Sequence, residues 1–228
     1  MSIRVKAKYI FLAFVPYLIL YFLIQSLITA HQYNLLTDID TWIPFVPQFI
    51  WVYHTIIPVT VLTCLVLFKR RDVFLSLIYS NLVAGVVLCF FYIFLPAFYP
   101  REAFVDTNTM SGMLVEFTRT IDGAHNTFPS GHVTFAWILA LFVNLSQKGK
   151  SCKWLCTSYF CWAILLSIST VTLKQHYFID VISGVALAGI IFYIFKKLPQ
   201  FRNSTKLVTI DAKLIPPRTP PAEVPVDC

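Results

Sequence analysis

Two short polar stretches carry the residue types that proton and phosphoryl chemistry need. One is residues 122–132, DGAHNTFPSGH; the other is residues 174–180, KQHYFID. In the first, Pro129 suits an opening helical turn, where its missing N–H costs nothing. Ser130 and Gly131 would leave backbone N–H groups free at a helix N-terminus, and such a terminus binds anions through those donors and the helix dipole. Gly131 admits close approach to the backbone, and His132 follows within the first turn, beside whatever is bound. In the second stretch, His176 and Asp180 are four apart and share a helix face. A carboxylate that accepts from one imidazole nitrogen fixes the tautomer and raises the basicity of the other, which makes a nitrogen nucleophile or base. Each pattern alone has a structural reading: Pro-Ser-Gly is a common helix start, and a His–Asp pair can cap a helix. Their joint placement on one predicted membrane face favours chemistry.

The elements that must position these residues are membrane spans. The 228-residue chain is 57% hydrophobic and 13% charged, with 21 Phe and 11 Tyr against seven Gly. A soluble domain needs a polar surface that this composition does not supply. A bilayer core needs about 20 apolar residues per helix, and six stretches qualify, roughly 9–30, 46–68, 73–96, 131–147, 153–173 and 178–195. The predicted fold class is therefore all-α, a polytopic bundle of about six transmembrane helices over residues 1–198. The proline-rich segment 199–228 reads as a disordered cytoplasmic tail. The first stretch follows Arg4, Lys6 and Lys8 and exceeds a signal-peptide core in length, so it reads as an uncleaved anchor. The segment 40–54, with two prolines and Trp42 and Trp51, reads as an interfacial lead-in to the second span.

The net charge of +7 does not point to nucleic acid, because the basic residues form short clusters between apolar runs and not one stripe. Such clusters set orientation. The N-terminus, Lys69 to Arg71, Lys148 to Lys153 and Lys196 to Lys206 are basic. The 31–45 loop is acidic, 97–130 is mixed, and the 174–177 link holds only Lys174. This alternation predicts cytoplasmic termini and puts both polar stretches on the opposite face, periplasmic, extracellular or lumenal. The six cysteines show no metal-type spacing with His.

The chain resembles the type 2 phosphatidic acid phosphatase (PAP2) superfamily, whose fold is shared with vanadium haloperoxidases. That family's Pro-Ser-Gly-His motif is matched by Pro129 to His132. Its Ser-Arg-x5-His-x3-Asp motif is matched in STVTLKQHYFID by Ser169, His176 and Asp180, and Tyr177, Val181 and Gly184 extend the match. The resemblance covers about residues 95–195. Two features depart from the pattern. The Lys-x6-Arg-Pro motif is absent; the nearest candidate is Pro100-Arg101, a form similar to the inositol phosphorylceramide synthase-like branch. Thr170 stands where the family has Arg, so Arg101, Lys174 or Arg119 must supply the cations.

The resemblance implies that His176 attacks phosphorus, Asp180 orients it, and His132 is general acid and then base. It also implies that Ser130, Gly131 and Arg101 hold the non-bridging oxygens, with Lys174 and His125 as further substrate contacts, and that no metal or other cofactor is required. The implied activity is hydrolysis of a lipid phosphate or diphosphate monoester. The alternative is a phosphotransferase that moves a phospho-headgroup to an alcohol. A non-catalytic lipid-binding or transport protein is the further rival. The expected partners are the lipid substrate and membrane lipids, with self-association left open. His31 and His54 have no partner in the sequence and read as interfacial, and Glu116 and Asp122 read as loop-solvating residues.

Overall fold

The structure, a computed structural model, describes residues 1–28, 33–101, 105–147 and 152–197. His31 and the proline-rich tail lie outside the described residues. Apolar runs fold into helices because in lipid every backbone polar group must bond within its own segment. The chain begins with α1 (Ile3–Leu27), capped by the Ser2 hydroxyl, which accepts from Val5 N–H. A short helix, α2 (Asp38–Trp42), follows. The second span, Pro47–Val66, is broken: a 3-10 turn (Pro47–Phe49) runs into α3 (Ile50–Tyr53), and α4 (Ile56–Val66) resumes after His54 and Thr55. Pro58 has a physical part in that break, since it lacks the N–H that would bond the His54 carbonyl. Then come α5 (Arg71–Phe94), α6 (Met110–Ile121), α7 (Gly131–Ser146), α8 (Lys153–Thr172) and α9 (Phe178–Lys197). The result is an all-α bundle. Five of its helical segments are long and apolar enough to cross a membrane, and α7 is a shorter apolar helix. Together they mark an integral membrane protein.

At the centre stands α7, packed against α5, α8 and α9. Membrane helices gain little from hydrophobic burial against one another, so close approach through small residues matters more. Ala136 and Ala140 of α7 meet Ala163 and Leu166 of α8 in one buried cluster. At the crossing of α7 and α9, a Cβ on Gly184 would lie 2.9 Å from the Ser130 carbonyl oxygen. Large apolar side chains such as Phe11, Ile19, Val86 and Ile190 face outward, which suits a lipid-facing surface. At about 1.5 Å per residue, the 16 residues of α7 rise only about 24 Å, short of a hydrocarbon core of about 30 Å. The non-helical segment ahead of it is tolerated near membrane depth because Asn126, Thr127 and Ser130 are buried in protein.

The 97–130 segment is not the plain loop expected of it. It contains α6, whose Thr109 cap accepts from Gly112 N–H. Met110, Met113, Phe117 and Ile121 are exposed and repeat at helical spacing, while Val115 and Thr118 are buried.

Candidate active site

The two polar stretches meet at the entrances to α7 and α9. Ser130 N–H donates to the Asp180 carbonyl at 3.1 Å. The Thr134 hydroxyl donates to the Ser130 carbonyl at 2.8 Å and lies 3.3 Å from that of Gly184. These bonds lock the two helix starts side by side. The rings of His132 and His176 consequently lie 6.1 Å apart, centroid to centroid, tilted by 60°. Both line a cavity of about 310 Å³.

His176 is buried and its Nδ1 lies 2.8 Å from the Thr127 carbonyl. A carbonyl can only accept, so Nδ1 carries the proton and Nε2 keeps the lone pair. The same Nδ1 is 3.4 Å from Asp180 Oδ2. The tautomer is therefore fixed first by a backbone carbonyl and second by the carboxylate named from the sequence. Asp180 Oδ2 also accepts Tyr177 N–H at 2.9 Å. The loop that carries His176 is held from below, where the Gln175 and His176 N–H groups both reach the Thr170 carbonyl. The Thr170 hydroxyl donates to the Ser167 carbonyl, and the side chain is fully buried. It therefore gives no replacement for the missing arginine.

Lys174 does not reach the histidine cavity. With φ at +56° it forms the tight turn, and its ammonium donates to the carbonyls of Asp40 and Ile43 at 2.7 and 2.5 Å. Asp40 Oδ1 in turn accepts Phe178 N–H at 2.6 Å. The α2 segment thus holds the start of α9, and Lys174 is a clasp between the two outer loops.

His132 sits within the first turn of α7, as its position after the Ser130 cap requires; the Ser130 hydroxyl accepts Val133 N–H at 3.4 Å. The Ser130 N–H, carbonyl and hydroxyl oxygen thereby all help to shape the turn. Gly131 lines the cavity, but its lack of a side chain also has a packing cause. A Cβ there would meet the Tyr17 hydroxyl at 2.9 Å and that of Tyr92 at 3.2 Å. Gly131→Ala is expected to cost about 1–3 kcal/mol by overpacking, read as a lowered unfolding temperature in detergent, with His132 displaced and activity reduced.

Arg101 and His125 are not among the residues that line the histidine cavity. Asp122 and Asn126 line the histidine cavity, whereas Ala124 lines a neighbouring cavity together with Arg101, Glu116 and Arg119. One Arg101 nitrogen donates to the Gly123 carbonyl. Among the described residues its Nε and Nη1 are buried without a hydrogen-bond partner, and such guanidinium donors are suited to an anion. Among the described residues His125 Nδ1 also has no partner, and its ring lies 5.5 Å from that of Phe98. Burial first, and then the Arg101 charge, push the His125 pKa below the usual imidazole range.

Two side chains at the cavity, His54 and Asp122, were read from the sequence as bland, and a third, Tyr53, was not singled out. His54 is not partnerless: its Nε2 is 2.8 Å from Thr118 Oγ1. Asp122 does not merely solvate a loop, because it accepts from the hydroxyls of Tyr21 at 2.5 Å and Tyr53 at 3.0 Å. Tyr53 stacks on His132 at 4.3 Å with 28° between planes. The available signal was aromatic clustering in the proline-interrupted lead-in to the second span. Most of the remaining wall is apolar, with Phe14, Leu18 and Phe22 of α1, Ile57 and Val61 of α4 and Phe117 of α6.

A family model described as PAP2 superfamily matches residues 11–194, which is most of the chain and includes both histidine motifs. A search of curated proteins finds no significant match.

Proposed function

This chain belongs to the PAP2 superfamily, whose members are in general phosphatases, and from that premise we propose that it hydrolyses a lipid phosphate or diphosphate monoester through a phosphohistidine on His176. The observation that carries the reading is the pair of rings 6.1 Å apart on one cavity whose remaining walls are mostly hydrocarbon. Titratable groups at the end of an apolar groove suit a substrate with a charged head and an aliphatic tail.

In the proposed reaction, His176 Nε2 attacks phosphorus and the bond to the lipid oxygen breaks. His132 gives its proton to the departing alkoxide. The resulting phosphohistidine carries positive charge on its ring, balanced by Asp180 and by Nδ1–H donation to Thr127. His132 then takes a proton from the incoming water, the N–P bond breaks, and inorganic phosphate leaves. The Gly131 N–H at the start of α7, which lines the histidine cavity, is the group that would meet charge growing on the non-bridging oxygens. We assign the site to the face opposite the cytoplasm, with both termini cytoplasmic, on the alternation of basic clusters.

The experiment is a panel of lipid mono- and diphosphates offered to the purified protein, with free phosphate and transferred headgroup both measured. Release of phosphate from at least one lipid is expected. Transfer to an alcohol without release would replace hydrolysis by phosphotransfer, and neither product would sink both. For orientation, a cysteine at Thr107 in a cysteine-free background should react with an impermeant reagent in intact cells; reaction only after lysis would reverse the topology.

A further inference from the structure

Resting on the phosphatase reading, we propose that Tyr53 and Asp122 are positioning residues that hold His132 in the protonation geometry of a general acid. The Tyr53 hydroxyl has one proton, and it donates that proton to Asp122 Oδ2 at 3.0 Å. Its oxygen lies 3.4 Å from His132 Nδ1, and with the proton committed to Asp122 that oxygen faces the ring as an acceptor. Nδ1 is then the protonated nitrogen. The other, Nε2, is the one that exchanges a proton with the substrate. When Nε2 is also protonated, the positive ring is connected through one phenol to a carboxylate.

Three features make this an organised chain rather than a chance contact. The Tyr53 ring stacks on the imidazole, which fixes its plane as well as its hydrogen bond. Asp122 is held from its other side, because Oδ1 accepts from Tyr21 at 2.5 Å. Each of the four side chains comes from a different part of the chain: α1, α3, the loop after α6, and α7. Tyr53 reaches this position because the second span breaks directly after it. At 3.4 Å the bond from His132 is long, as resting catalytic hydrogen bonds often are before substrate binds.

In the first step, a group that acts through the general acid matters only where the leaving group needs a proton. The test therefore compares an alkyl phosphate with an aryl phosphate bearing the same hydrocarbon tail, since a phenolate leaves without protonation. Tyr53→Phe keeps the stack and removes the hydroxyl; Asp122→Asn keeps the shape and removes the charge. Each is expected to slow first-turnover cleavage of the alkyl substrate by about 10- to 100-fold, the weight of one hydrogen bond to a charged group, and to leave the first-turnover burst of phenolate from the aryl substrate unchanged. Equal losses on both substrates, or no loss on either, would overturn the relay while the phosphatase reading stands. Wild-type protein that cleaves neither substrate would remove the phosphatase reading and the relay with it.

Discussion

His176→Ala is expected to stop phosphate release, with a loss on the order of 10⁴-fold or more, because the other imidazoles lining the cavity, His132 and His54, are held on Tyr53 and Thr118. Asp180 and the Thr127 carbonyl remain, but neither holds a lone pair at the attacking position. The substitution should leave folding almost intact: the ring's one strong bond, at 2.8 Å, is to a backbone carbonyl, and the loop stays fixed by the Thr170 carbonyl and the Lys174 clasp. The informative comparison is therefore rate against unfolding temperature in the same detergent. Lost turnover with retained stability supports a chemical role. Full phosphate release by this variant would end the account of His176 as nucleophile.

The second large effect is on His132. His132→Ala removes both the acid for the leaving oxygen and the base for water, and general acid–base catalysis contributes about 10²–10⁴-fold. With an alkyl phosphate the first step should fail. With an aryl phosphate the first step needs no proton, so the phenolate should appear in a burst equal to the enzyme concentration, followed by slow turnover as the phosphohistidine waits for water. A burst followed by slow turnover separates this residue from Gly131, whose replacement acts through packing. An aryl substrate turned over by His132→Ala at the wild-type steady rate would remove His132 from the second step.

The sequence was most legible where one physical constraint dominates. Bilayer thickness and backbone satisfaction mark the spans, and the six expected stretches agree with the helices to within a few residues except at α1, which begins at Ile3 and not near residue 9. The sequence singled out His132, His176 and Asp180 from two polar stretches and a family resemblance, and the structure brings the three side chains together at the entrances to α7 and α9. What escaped depends on contacts between distant segments. The α6 helix was hidden because Thr109, Glu116 and Arg119 break its apolar pattern, although Met110, Met113, Phe117 and Ile121 carry a helical repeat. Asp122 lay inside the first polar stretch, yet its two tyrosine partners are 101 and 69 residues away. Lys174 looked like a free cation beside His176. Only the fold brings the Asp40 and Ile43 carbonyls to it, across 134 and 131 residues.

The account rests on a covalent bond between phosphorus and His176. The most direct measurement is mass spectrometry of His132→Ala protein quenched during turnover of an aryl phosphate. The account predicts one added phosphoryl group, mapped to His176 and labile in acid. A burst with no phosphorylated residue, or with the phosphoryl group on another side chain, would contradict it.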